Sequence, residues 1–136
     1  MPLALPRPLI WALSVTTACV VAAIAAQAAR SSRQQTESVA RAMTGGDLSR
    51  APALMRRYGC TGCHTIPGIA GADGQVGPSL VALRGRVYIA GVATNSPDNL
   101  VHWIVAPQSL SPRTVMPATG ITEVEARDVA AYLYSH

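Results

Sequence analysis

The chain has 136 residues, a formal charge of +4 at neutral pH, no lysine and no phenylalanine, and 4% aromatic residues. That length allows one domain with a modest core plus an appendage. From Ser31 onward nine arginines face seven acids, a charge of +2, which is too weak and too scattered for a nucleic-acid binder.

The first element in chain order is Leu9 to Ala26, "LIWALSVTTACVVAAIAA", which carries no charge. Eighteen such residues are the lower end of what spans a bilayer. The run also exceeds the usual apolar core of a secretory signal, about 7–15 residues, and this favours a retained anchor over 1–29. The alternative is a signal cleaved after Ala28, because Arg7 precedes the run and Ala26-Gln27-Ala28 follows it. Both readings carry the rest of the chain across the membrane. Lipidation at Cys19 is disfavoured by Thr16.

Residues 30–46 read as a stalk or linker, either a helix stopping at Gly45-Gly46 or a polar disordered segment. Val39, Ala42 and Met43 keep a helical spacing there. The remaining domain, 47–136, starts with a helix expected over Ser49–Tyr58, with Ser49 as N-cap, Pro52 in the first turn, an apolar face of Ala53, Leu54 and Tyr58, and Gly59 as its stop. "IPGIAGADGQVGPSL" has neither helical nor strand period and must be a loop that wraps something. A short helix is expected in "DNLVHWIVA", with Leu100, Trp103 and Ile104 inward. The last helix opens on a Thr122/Glu125 capping box and continues through Val124, Val129, Tyr132 and Leu133. No strand pattern and no repeat are visible, so the fold class is all-α.

Between the first domain helix and the loop stands "RRYGCTGCHTIPG", with Cys60, Cys63 and His64 inside five residues. A dithiol redox motif needs a β-α-β unit, which this chain lacks. A zinc site needs four ligands, and only His102 and His136 remain to complete one. Adjacent Cys63 and His64 would also strain a tetrahedron. C-x-x-C-H is the known attachment motif of covalent haem, which would supply the bulk that a core poor in aromatics lacks. An open second face on such an iron means ligand binding, whereas a methionine there means electron transfer at raised potential. Met1 and Met43 lie outside the expected domain, and Met55 sits on the helix leading into the motif. Met116, in "SPRTVMPATG", stands between Pro112 and Pro117 in a stiffened loop that suits a ligand better than a core spacer.

From Gly46 onward the chain resembles a class I, monohaem cytochrome c, in the pieces "GCTGCHT", "VGPSL", "RGR", "NLVHWIVAPQSLSPRTVMP" and "VAAYLY". It is similar in particular to membrane-anchored bacterial cytochromes c and to cytochrome domains of haem-copper oxidase subunits. The resemblance implies three to four helices wrapped round one covalent haem c. It implies attachment at Cys60 and Cys63, and His64 and Met116 as axial ligands. Pro78 would offer its carbonyl to the second nitrogen of His64, and Leu80 would line the same side. Arg86 and Thr114 match positions that hold a haem propionate, Tyr88 could reach one as well, and Trp103 matches an aromatic near the methionine. Tyr132 would cross the first domain helix near Ala51 and Leu54. Ala51 replaces a glycine common at that crossing, the segment from Arg86 to Asn99 is short, and the mitochondrial lysine ring has no counterpart.

The function expected on this resemblance is that of a one-electron carrier, not an enzyme. It would work in a bacterial respiratory chain and deliver to a haem-copper oxidase, with a quinol:cytochrome c oxidoreductase as another partner and no small-molecule substrate. Alternatives are a haem subunit of a periplasmic dehydrogenase or quinol-oxidising complex, or a haem-based small-ligand sensor or enzyme. The expected location is the inner membrane, with one span and the haem domain in the periplasm; after signal cleavage it would be the soluble periplasm.

Overall fold

The computed structural model describes residues 7–136; Met1 and the rest of 1–6, part of the segment expected to anchor the chain, lie outside the described residues. Two compact units are present, Met1–Gln35 and Thr36–His136. Helix α1 runs from Arg7 to Thr44 without a break, which settles the segment 30–44 as helix rather than disordered linker. Its apolar part is long enough to cross a membrane by length and composition, a test that a signal sequence also passes.

The second unit takes in the last turns of α1, so residues 36–46 pack with the globular part although 30–46 is expected to be stalk. Ala40 and Thr44 are buried, whereas Val39 and Met43 are exposed. The buried face is therefore made of small residues, one apolar and one polar, and not of the pair that the spacing marks. Gly45, at φ 71°, ends the helix in the left-handed region. At Gly46 a Cβ would lie 2.1 Å from the Arg127 carbonyl, so only glycine allows this approach of the chain to the last helix.

α2 (Ala51–Arg57) starts two residues later than the expected cap. Ser49 does not cap it, because its hydroxyl and N–H both go to the Asp47 carboxylate, at 2.8 and 3.1 Å. Ala51, Leu54 and Met55 are buried, while Ala53 faces out. α3 (Cys60–Cys63) is a single turn entered through Gly59 at φ 76°. A loop then runs to a 3-10 turn at Leu83–Gly85. It folds back on its own start, with Gly77 N–H donating to the Cys63 carbonyl at 2.7 Å and Leu80 N–H to Thr65 at 2.8 Å. Its Ile66, Ile69 and Ala72 are buried.

One small hairpin departs from the all-α expectation. β1 (Tyr88–Ile89) and β2 (Ala93–Thr94) pair antiparallel, with Tyr88 opposite Thr94 and Ile89 opposite Ala93. The turn between them uses positive φ at Ala90 (49°) and Gly91 (74°), as a primed turn requires. Strands of two residues cannot show alternation in a sequence, which is why no strand pattern was visible.

α4 (Pro97–Val105) is capped by the Ser96 side chain, which accepts from Asn99 N–H, and it buries Leu100, Val101, Trp103 and Ile104. α5 (Pro107–Leu110) follows. α6 (Glu123–Ser135) begins on the capping box Thr122/Glu125, with both reciprocal bonds formed. From Asp128 to Tyr134 it is buried on every side, as befits a helix surrounded by α2, α4 and the 3-10 turn. Val124 is the exception to the expected inward set, 66% exposed at the start of the helix.

Candidate functional site

A cavity of about 380 Å³ opens in the second unit, within the size range of small-molecule sites. One stretch of its wall comes from Cys60, Cys63 and His64, another from Thr114, Val115, Met116 and Pro117. Pro78, Leu80, Arg86 and Trp103 complete the group of sequence-expected residues that line it. Tyr88 does not line it: on β1 its side chain turns outward, 58% exposed, while its neighbour Ile89 turns in. The rest of the lining is aliphatic, with Leu83, Leu100 and Ile104 beside Val129 and Leu133 of α6. Met55 also lines the cavity, fully buried on α2.

The local chain dictates how His64 is held. Its Nδ1 lies 2.7 Å from the Pro78 carbonyl oxygen. A carbonyl can only accept, so Nδ1 carries the proton and Nε2 keeps its lone pair for an electrophile. Gly77 makes this pose possible, because a Cβ there would lie 2.3 Å from His64 Cε1 and 2.7 Å from Nδ1. Burial pushes the Cys60 thiol up from its ordinary value, the reverse of what an attacking dithiol needs. Among the described residues no three His, Cys, Asp or Glu side chains group to hold a bare metal ion. The donors therefore fit neither a redox dithiol nor zinc.

Haem fits the wall in its chemistry. Two thiols stand beside an imidazole with a free Nε2, a thioether stands on another loop, and the apolar lining carries a single charge, Arg86. The Arg86 guanidinium donates to the carbonyls of Ser79 and Val81. This ties the turn after Leu83 to the loop that carries Pro78. Thr114 Oγ1 accepts from Met116 N–H at 3.2 Å and so shapes the methionine loop from within. At the mouth, Val76 (78% exposed) and Val115 (91%) leave the rim apolar.

Several supporting residues escaped the sequence reading. Asn95 donates both amide protons, to the Leu83 and Arg86 carbonyls at 2.8 and 2.9 Å, and accepts from Tyr134 hydroxyl at 2.7 Å. It thereby fastens the Arg86 turn to α6. Gln108 donates to the Met116 carbonyl at 2.7 Å. Both act on backbone carbonyls far along the chain, a relation for which a sequence carries no signal. Of the spare histidines, His102 is exposed and shares a 2.7 Å hydrogen bond with Ser109. His136 stacks on Tyr132 with ring centroids 4.1 Å apart, and Tyr132 donates its hydroxyl proton to the Pro67 carbonyl at 2.7 Å.

Comparison with known proteins shows the family. The family model described as Cytochrome c matches residues 48–136. Cytochrome c oxidase subunit 2 of Alkalihalophilus pseudofirmus is 39% identical over 77 residues, which cover 56% of this chain and 22% of that protein. The chain thus matches under a quarter of the length of that relative. No solved structure matches.

Proposed function

Because the chain belongs to the cytochrome c family, a family of haem-based electron carriers, we propose that it carries single electrons through one covalent haem c and hands them to a haem-copper terminal oxidase. The observation that carries the reading is the one cavity wall shared by Cys60, Cys63, His64 and Met116. When bound, the haem supplies iron that cycles between ferrous and ferric states. The chain's residues do the rest. Cys60 and Cys63 hold the group covalently, and His64 offers Nε2, made more basic by the proton its Nδ1 shares with Pro78. Met116 offers a thioether, which favours the ferrous state and raises the potential. Arg86 and Thr114, both in the cavity wall, would hold propionates, Leu80 and Trp103 would pack the group, and the aliphatic wall would exclude water. No carboxylate lines the cavity and its one imidazole is His64, which leaves nothing to act as a distal acid or base.

Charge and tether point to the partner. From Ser31 onward the net charge is +2, and two ionised propionates would bring it near zero, so electrostatic steering is feeble. A membrane anchor in α1 would instead keep the domain at high effective concentration beside a membrane-embedded acceptor. The similarity to an oxidase subunit supports an oxidase as that acceptor.

The experiment is fractionation followed by truncation. The protein should stay in membranes through a high-salt wash. Replacing residues through Ala29 by a cleavable signal should leave the haem spectrum intact while slowing oxidase-linked turnover severalfold. Recovery of the native protein in the soluble fraction, cut after Ala28, would sink the anchor and the tether together.

A further inference from the structure

Met116 is held by its backbone at both ends. Its N–H donates to Thr114 Oγ1, and its carbonyl accepts from Gln108 Nε2 at 2.7 Å. A carbonyl has no proton to give, so the amide nitrogen of Gln108 and not its oxygen must face it. Pro117 follows and biases Met116 toward extended backbone. Gln108 stands on a firm base, since α5 opens on the fully buried Pro107, whose carbonyl accepts from Ser111 N–H at 3.0 Å. An exposed, flexible side chain thus surrenders rotamer freedom to a carbonyl of this loop, with Val115 beside it almost wholly in solvent.

We propose that Gln108 is a positioning residue for Met116: its amide latches the Met116 carbonyl and keeps the thioether turned into the cavity. The inference rests on the reading of Met116 as the sixth iron ligand. The loop has a closed state, with sulfur presented, and an open one, with sulfur withdrawn. An external ligand for the iron competes with Met116, so its apparent affinity is reduced in proportion to the closed population. Losing one hydrogen bond that favours the closed state should raise that affinity about two- to tenfold.

The test titrates the ferric, full-length holoprotein in detergent with imidazole, read by the visible spectrum, alongside thermal melts. Gln108→Glu keeps the shape and loses the donor, Gln108→Leu loses all polarity, and Gln108→Lys returns a donor on a stem one atom longer. Imidazole should bind more tightly to the Glu and Leu variants by the stated factor, and to the Lys variant as to wild type. Equal affinity in all four proteins overturns the latch, even if the variants melt earlier, because the side chain is then merely structural. A shift shared by all three variants overturns it too, since loop packing rather than the donor is then at work. Met116→Ala is the reference. If it binds imidazole no better than wild type, Met116 is not the ligand, and the latch falls with the reading beneath it. If it binds far better while the Gln108 variants match wild type, the latch alone falls.

Discussion

The stretch that carries His64 and the stretch that carries Met116 reach the same cavity by different construction. His64 belongs to a five-residue unit with both thiols, its ring is pinned by the Pro78 carbonyl, and Gly77 backs it so closely that no side chain fits between. The loop behind it is sewn to its own start by backbone hydrogen bonds. Met116 comes from a loop bounded by prolines, next to the exposed Val115, and two side chains, Thr114 and Gln108, satisfy its backbone. One stretch is built to be permanent and the other to be adjustable. In the proposed haem protein, attachment and folding should depend on the first, and the potential on the second.

The sharpest way to break that comparison is at the thiols. Cys60→Ala with Cys63→Ala should abolish covalent haem, seen as loss of haem stain on denaturing gels, and should collapse the helical circular dichroism of the domain. A folded, zinc-loaded double variant would refute the division of labour. Next in size is Met116→Ala, which should leave haem attached and the domain folded while lowering the potential by on the order of 0.1 V, within the roughly 0.8 V that axial ligands command. Redox titration measures it, and the red absorption band of a thioether–ferric bond should vanish. An unchanged potential would remove Met116 as a ligand.

A smaller effect tests the rigidity of the His64 side. Gly77→Ala puts a Cβ 2.3 Å from His64 Cε1, so the ring must swing and release Pro78. A less basic imidazole favours ferric iron less, so the potential should rise, by less than Met116→Ala lowers it. Asn95→Ala should cost about 2–3 kcal/mol in chemical denaturation, since two carbonyls and the Tyr134 hydroxyl lose their partner. The smallest effect is alkaline. Burial pushes the Tyr134 phenol from 10.0 to about 12, so its folded form stays protonated where the unfolded one ionises. That contribution is intact below pH 10.0 and drains away as pH rises to about 12. In Tyr134→Phe the loss of stability across this window should be shallower, as pH-resolved melts would show.

Much of this architecture could be read from residues, where the causes are local. The capping box at Thr122 and Glu125, the stop at Gly59 and the inward set Leu100, Trp103 and Ile104 all depend on neighbours in the chain, and all appear. Ser49 misled because a competing acceptor, Asp47, sits two residues away and takes its hydroxyl. Tyr88 stands outside the cavity wall because the hairpin register decides which of two adjacent residues faces in, and two-residue strands carry no pattern to fix it. The spacing at Cys60–His64 raises the expectation of covalent haem, and Pro112 and Pro117 around Met116 that of a ligand loop, whereas the roles expected of Pro78, Arg86 and Thr114 needed resemblance to a family. Asn95 and Gln108 were illegible for a physical reason. Each serves carbonyls 8 to 12 residues distant, and every residue in the chain offers a carbonyl.

The meeting of α2 with α6 also brings the two ends of the domain together. The floor of the domain is joined by contacts between its two ends: Asp47 N–H to Asp128 Oδ1 across 81 residues, Tyr58 hydroxyl to Glu125 across 67, and Tyr132 hydroxyl to Pro67 across 65. Such pairings carry the cost of closing a long loop. Val129 and Leu133 of α6 are part of the cavity wall itself, so the wall is incomplete until the final helix has been made and docked. In the proposed haem protein the thiols of Cys60 and Cys63 would therefore stand open to haem while the chain awaits its last helix. Docking of α6 after attachment would then spare a group of this size from being threaded into a closed domain.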